Sequence, residues 1–282
     1  MKRLPLPKFD AKDAVELCAT GITIPERSKA LLDALSTIEA GEEAYKKLGP
    51  VGELFKIRST DDVTPELNGK LMGVIYKSHF ARVGAPTRGL YDAIRLAPSY
   101  SLCPLCGQRS VGSVDHYLPQ SLHPTFNLTP VNLIPSCTDC NKAKLALVAL
   151  TAEQQTLHPY FDDLGDERWL VVDVRETAPP AIEYRVRPPA IWTPVLAERV
   201  KHHYKIMGLG VLYAAQAASE LADISYALVK LSNSGGPVAV RSHLYDEFES
   251  RLARDKNSWK TALYEALCDS AWFCREGFRL LF

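Results

Sequence analysis

The chain has 282 residues, 46% of them hydrophobic and 23% charged, and its 33 basic and 33 acidic side chains give a formal net charge of zero. That length can bury one large core or two small ones, and the even balance excludes capture of nucleic acid by overall attraction, so such a partner needs a local basic patch. No apolar run of roughly eighteen residues occurs, and the opening MKRLPLPKFDAKD has neither the apolar stretch nor the small-residue cleavage site of a signal peptide, so a cytoplasmic protein without a membrane partner is expected.

Residues 1–98 read mainly as helix. Leu31, Leu32, Leu35, Ile38 and Ala44 recur at helical spacing after Pro25, until Gly49-Pro50 stops the run. A second helix is predicted from Thr64, as cap, and Pro65, in the first turn, through Leu67, Leu71, Val74, Ile75 and Phe80 to about Ala81. A third spans about 89–96 and ends before Pro98. Between Lys70 and Ser113 the basic residues Lys70, Lys77, Arg82, Arg88, Arg95 and Arg109 face one acid, Asp92. This is either a nucleic-acid patch or a solvated helix face.

Of seven cysteines, Cys103 with Cys106 and Cys137 with Cys140 form two CxxC pairs, while Cys18, Cys268 and Cys274 stand alone as small core residues. In a reducing compartment, two such pairs about thirty residues apart suit four thiolates around one structural Zn2+ with no open position for water. Chemistry would then fall to the residues between and beside the pairs. Asp115 offers a hard oxygen ligand for Mg2+ or Mn2+, and His116 can take a proton from water near neutral pH. Neighbours on a strand point to opposite faces, so the two can serve one phosphate only where the strand ends or bulges. His123, in the following loop, is a candidate contact to substrate or metal. His158, with Tyr160 and Phe161, reads as packing.

Beyond the cysteines, 168–175 and 181–186 read as two short strands, and helices are predicted at about 194–206, 209–230, 240–254 and 258–275, with a loop at 232–237. Only one of His202 and His203 can face inward. Leu263, Ala266, Leu267, Ala271, Trp272 and Phe273 form a core or partner face.

The order CxxC, Asp115-His116, Asn132-Leu133, then Cys137-Thr-Asp-Cys140-Asn141 and Lys144 resembles the HNH endonuclease family. That resemblance implies an α+β, predominantly helical protein with a small ββα-metal core at 99–150, buttressed by the four-cysteine zinc and flanked by a helical region at 1–98 and by two strands and helices at 151–282. It makes His116 the general base, Asp115 a ligand of the catalytic Mg2+ or Mn2+, and Asn132 a brace for the loop that orients the base. Asn141 stands where many members carry a second metal-binding histidine, which favours a hard ion. Lys144 would touch a phosphate, unless it is a solvated helix lysine. The implied activity is phosphodiester hydrolysis in DNA, with RNA as an alternative substrate, as an effector of bacterial anti-phage defence with an ATPase or other regulatory partner. A non-catalytic zinc-stabilised nucleic-acid-binding module and a complex-assembly subunit are the rival readings.

Overall fold

The computed structural model describes residues 2–145 and 148–281. The chain forms two compact units, Met1–Asp163 and Leu164–Phe282. It is mostly helical, with three separate two-stranded antiparallel sheets among the described residues, so the α+β, predominantly helical class holds. No helix of the described residues is long and apolar enough to cross a membrane.

The first unit opens with α1 (Ala11–Thr20), whose N-terminus is closed by a reciprocal capping box between Asp10 and Asp13. The long helix expected after Pro25 is two helices, α2 (Pro25–Asp33) and α3 (Leu35–Leu48), separated at Ala34, and the second stops before Gly49-Pro50. Gly49 is required by space: a Cβ there would drive into the Phe161 ring.

The helix expected from Thr64 starts four residues later, capped by Asn68. Residues Asp62–Thr64 (β1) and Leu67–Asn68 (β2) form a small hairpin that turns at Pro65-Glu66, and α4 (Gly69–Ile75) begins only after Asn68, whose Oδ1 accepts from Leu71 N at 2.9 Å. Asparagine is the better cap, and proline presets the turn, so the local chemistry favours the later start. The helix continues as a π-helical segment, Tyr76–Phe80. Then α5 (Arg88–Arg95) follows close to its predicted span.

Val15, Leu31, Ile38, Met72, Ile75, Phe80 and Ile94 bury one core, which takes in Val114 and Leu133. Those two residues belong to β3 (Ser113–His116) and β4 (Leu133–Ser136), an antiparallel pair in unbroken register with His116 opposite Leu133. A short helix, α6 (Thr138–Lys144), comes directly after β4. The N-terminal helices thus cover one face of the hairpin, leaving the other for α6.

In the second unit β5 (Leu170–Arg175) pairs along its whole length with β6 (Ala181–Val186), as expected. The helices are α7 (Pro194–Ile206), α8 (Leu209–Arg254), α9 (Trp259–Asp269) and α10 (Ala271–Arg275). The break expected at 232–237 is there but shorter than a loop: two helical stretches of α8 meet at a kink at Gly236, which leaves helical geometry at φ 67° and ψ −162°. Pro237 disfavours a helical residue before it, and glycine absorbs the deviation. The helix expected over 258–275 breaks at Ser270, which caps α10. Leu263, Leu267 and Phe273 are buried core. His203 is buried while His202 is half-exposed, and Cys18, Cys268 and Cys274 are all buried.

Candidate functional site

The cysteines meet. The Sγ atoms of Cys103, Cys106, Cys137 and Cys140 lie within 4.8 Å of one another, and all four residues are buried. Tetrahedral zinc–thiolate geometry needs sulfurs roughly 3.8 Å apart, so the cluster is already close to ligand spacing and could hold a metal ion. Each pair is prepared by its own turn. Arg109 N–H donates to Cys106 Sγ at 3.4 Å, and Gly107 holds the positive φ of 66° that closes the first turn. Cys137 is the N-cap of α6 and accepts from Cys140 N at 3.4 Å. Hydrogen bonding to Cys103 pulls the Cys106 thiol down and brings Cys137 to about 7, while bonding to Cys106 pushes Cys103 up. Four sulfurs at this spacing cannot all carry bare negative charge, and a divalent cation removes that conflict.

The second cluster lies at the other end of the same hairpin. Strand alternation turns Val114 and His116 toward the helical core and Ser113 and Asp115 toward α6. The strand ends at His116, so the ring sits at its tip. His116 is buried, packs edge-on to Tyr76 with centroids 4.5 Å apart, and places Nε2 3.0 Å from the Asn127 carbonyl. A carbonyl only accepts, so Nε2 carries the hydrogen and Nδ1 keeps the lone pair. Burial, foremost, pushes this imidazole down to about 4, which leaves it neutral at pH 7.

Asn132 fixes the loop that presents Asn127. Its Oδ1 accepts from Leu118 N at 2.7 Å, and its Nδ2 donates to the Leu118 and Phe126 carbonyls at 3.2 Å each. Behind it stands a relay. His158 Nδ1 accepts from Tyr160 N, so Nε2 donates to Tyr45 Oη at 3.1 Å, and Tyr45 donates onward to Asn132 Oδ1 at 3.1 Å.

On the α6 face, Asp115 Oδ1 accepts from His116 N at 2.8 Å, whereas the buried Oδ2 has no aligned hydrogen bond. Lys144 Nζ lies 3.4 Å from Oδ2, an ion-pair contact, and donates to the His116 carbonyl at 2.5 Å. Lys144 is only 3% exposed, so it is not a solvated helix lysine. Burial lowers its pKa and raises that of Asp115, each offset by the other's charge. Asn141 donates its amide N–H to Ser113 Oγ at 3.2 Å on the same face. His123 is buried beside Phe126, and burial pushes its pKa down against an opposing influence of the Arg58 backbone.

Asp115, His116, Asn132, Asn141 and Lys144 therefore converge on one hairpin and its helix, with His123 buried in the connecting loop. The basic stretch is partly neutralised: Arg88 and Arg95 both pair with Asp92, and Arg109 pairs with Asp139, while Lys70, Lys77 and Arg82 are exposed. Sequence reasoning missed Tyr45, Tyr76 and Asn127. Tyr45 had a signal, since it continues the seven-residue spacing of Leu31 and Ile38. Asn127 acts through its backbone, which no residue type reveals.

No family model matches the chain, and no solved structure matches it. It is similar to protein ea31 of Escherichia phage lambda, 29% identical over 295 residues that cover 98% of this chain and 99% of that protein.

Proposed function

We propose that the protein is a metal-dependent endonuclease of HNH type, with His116 as the base that deprotonates the attacking water. The observation carrying this reading is the His116 ring at a strand tip, pinned through Nε2 by the Asn127 carbonyl so that a neutral Nδ1 is left to accept a proton. The strand–strand–helix order, with the cysteine cluster at its base, supports the same reading. A structural zinc in that cluster takes over the work of a hydrophobic core that so small a motif cannot build.

Asp115 and Asn141 would hold a catalytic Mg2+ or Mn2+. The buried, undonated Asp115 Oδ2 is the kind of atom such an ion takes, and one carboxylate with one carboxamide suits an ion that keeps several waters and gains phosphate oxygens from substrate. When bound, the ion would neutralise the phosphoryl oxygens and the departing 3'-oxygen. Asn132 keeps the Asn127 carbonyl in place, and that carbonyl fixes the tautomer and aim of His116. DNA as substrate, with RNA as the alternative, rests on the family resemblance, as does control by an ATPase or other partner in an anti-phage system.

A second reading has one observation in its favour. Lys144 already supplies a cation at Asp115, as a non-catalytic nucleic-acid-binding or assembly module would allow. The deciding experiment is cleavage of supercoiled plasmid, single-stranded DNA and RNA with Mg2+ or Mn2+, by wild type and His116→Ala after zinc content is matched. Loss of cutting by a factor of about 100 to 10,000 in the variant is expected. Equal cutting by both proteins sinks the assignment of His116.

A further inference from the structure

We propose that Lys144 is the resting occupant of the cation place at Asp115, and that a divalent ion binds there only by displacing its ammonium. This rests on the nuclease reading for the identity of the ion, though not for the displacement itself.

Lys144 is held in an unusual way for the last residue of a surface helix. Its ammonium is buried, bonded to the His116 carbonyl at 2.5 Å and set 3.4 Å from Asp115 Oδ2. It also lies 5.7 Å from the centre of the Tyr117 ring. Burying an ammonium is costly unless its hydrogens are all well received, and here the carboxylate contact is not an aligned hydrogen bond. The pair is electrostatically necessary and geometrically imperfect. A divalent ion bound at about 2.1 Å from the same oxygen would have roughly three times the Coulomb attraction of a monovalent one at 3.4 Å in equal surroundings. The ion must still shed water, so occupancy becomes a competition rather than a simple vacancy to be filled.

The chain can release Lys144 locally. Lys144 ends α6, and Leu145 beyond it leaves the helix at a φ of 45°, exposed. Rotation of the Lys144 side chain, with fraying of this final residue alone, would move the ammonium away while Asn141, Cys137 and Cys140 keep their places in α6. Since Lys144 also holds the carbonyl of His116 itself, its departure frees the backbone of the residue read as the base. The ion's arrival and the final setting of His116 would then be one event.

The test is equilibrium Mn2+ binding to the zinc-loaded full chain, followed by the EPR signal of free Mn2+, for wild type, Lys144→Met, and Lys144→Met combined with Asp115→Asn. Lys144→Met is expected to bind Mn2+ at least tenfold more tightly than wild type, and the added Asp115→Asn is expected to erase that gain. An unchanged affinity in Lys144→Met, or a gain that survives Asp115→Asn, overturns the proposal. Should Lys144→Met fail to fold, wild type with 13C-labelled lysine answers the same question: a Lys144 methylene resonance that moves to the position of solvated lysines at saturating Mg2+ supports displacement, and one that stays fixed overturns it. The readout is independent of cleavage. Tightened Mn2+ binding without any cutting would count against the nuclease and leave the displacement standing. Cutting that depends on His116, with Mn2+ affinity indifferent to Lys144, would do the reverse.

Discussion

The cysteine cluster and the Asp115–His116 corner share one hairpin and one seven-residue helix, yet they treat charge in opposite ways. At the start of α6, Cys137 and Cys140 join Cys103 and Cys106 in a group made only of potential anions. At its end, Lys144 brings a cation to Asp115 from within the chain. The first cluster could therefore be completed by a metal ion, whereas the second is neutralised in advance. On the proposed nuclease reading this asymmetry has a use: an ion that holds the fold would be demanded, and one that serves the chemistry would be conditional.

The largest way to test the contrast is Cys137→Ser. It removes one sulfur from the cluster while leaving a hydroxyl that can still cap α6, so a metal held there should be lost and the first unit should be destabilised by several kcal/mol through that loss alone, lowering its midpoint by roughly 10 °C or more. Metal analysis and calorimetry on the same sample check this. Loss of the metal with an unchanged midpoint would mean that the cluster is held by packing alone, and retention of both would mean that Cys137 is not a ligand; in either case the contrast between the two ends of α6 would disappear.

Asn132→Ala comes next. It strips partners from the Leu118 N–H, the Leu118 and Phe126 carbonyls and Tyr45 Oη, all around a completely buried side chain. Several buried groups left unpaired should cost about 3 kcal/mol or more. The His116 ring resonances should broaden or shift while metal content stays constant. A stability loss without any change at His116 would separate the loop brace from the base and break the chain of support that runs from Asn132 through Phe126 and Asn127.

The sequence exposed these two clusters unequally. The CxxC pairs could be read directly, because thiolate ligation imposes both residue type and spacing, and the pairs indeed meet. The positions of Asp115, His116, Asn132 and Asn141 were singled out from an ordered pattern, but what surrounds each was not. The Asn127 carbonyl is a backbone group, the burial of Lys144 depends on how α6 lies over β3, and Tyr76 reaches His116 from a π-helical segment forty residues earlier in the chain. Such features are tertiary and leave no local periodicity. In the fold at large, β5, β6 and α7 followed their alternating or capped patterns, whereas the start of α4 and the narrowing of the Ser-Asn-Ser-Gly-Gly-Pro loop to a kink at Gly236 were decided by competition between local signals. Asn68 prevailed over Thr64 as a cap, and the helices on either side advanced into Ser232–Gly235 but still broke at Gly236, before Pro237.

A smaller effect follows from pH. His116 has a pKa of about 4 in the fold against about 6.5 when unfolded. The unfolded chain therefore binds more protons between those values, so the stability due to the neutral buried ring is complete above pH 6.5 and declines as pH falls toward 4. Between pH 7 and 5.5 this should cost about 1 kcal/mol, a window chosen to spare metal-bound thiolates from stronger acid. Urea titrations should show that increment in wild type and its absence in His116→Gln. The same slope in both proteins would locate the acid sensitivity elsewhere, with His123 the first alternative because burial also lowers its pKa.

The finest discrimination concerns Arg109. Its Nε lies 2.7 Å from Asp139 Oδ2, tying the first cysteine turn to α6 across the cluster, and so it offers a rival explanation for why the two turns stay together. The pair is solvent-facing, with the Asp139 side chain 61% exposed, and such contacts contribute a few tenths of a kcal/mol in water and less in salt. Arg109→Ala also keeps the backbone N–H that donates to Cys106 Sγ. It should therefore leave metal content and midpoint within about 1 °C of wild type, in contrast to Cys137→Ser a short distance away. If Arg109→Ala instead releases the metal, the ion pair and not the sulfur cluster sets the spacing of the two turns. The cysteine cluster would then depend on a side-chain ion pair, as the proposed cation site at Asp115 depends on Lys144.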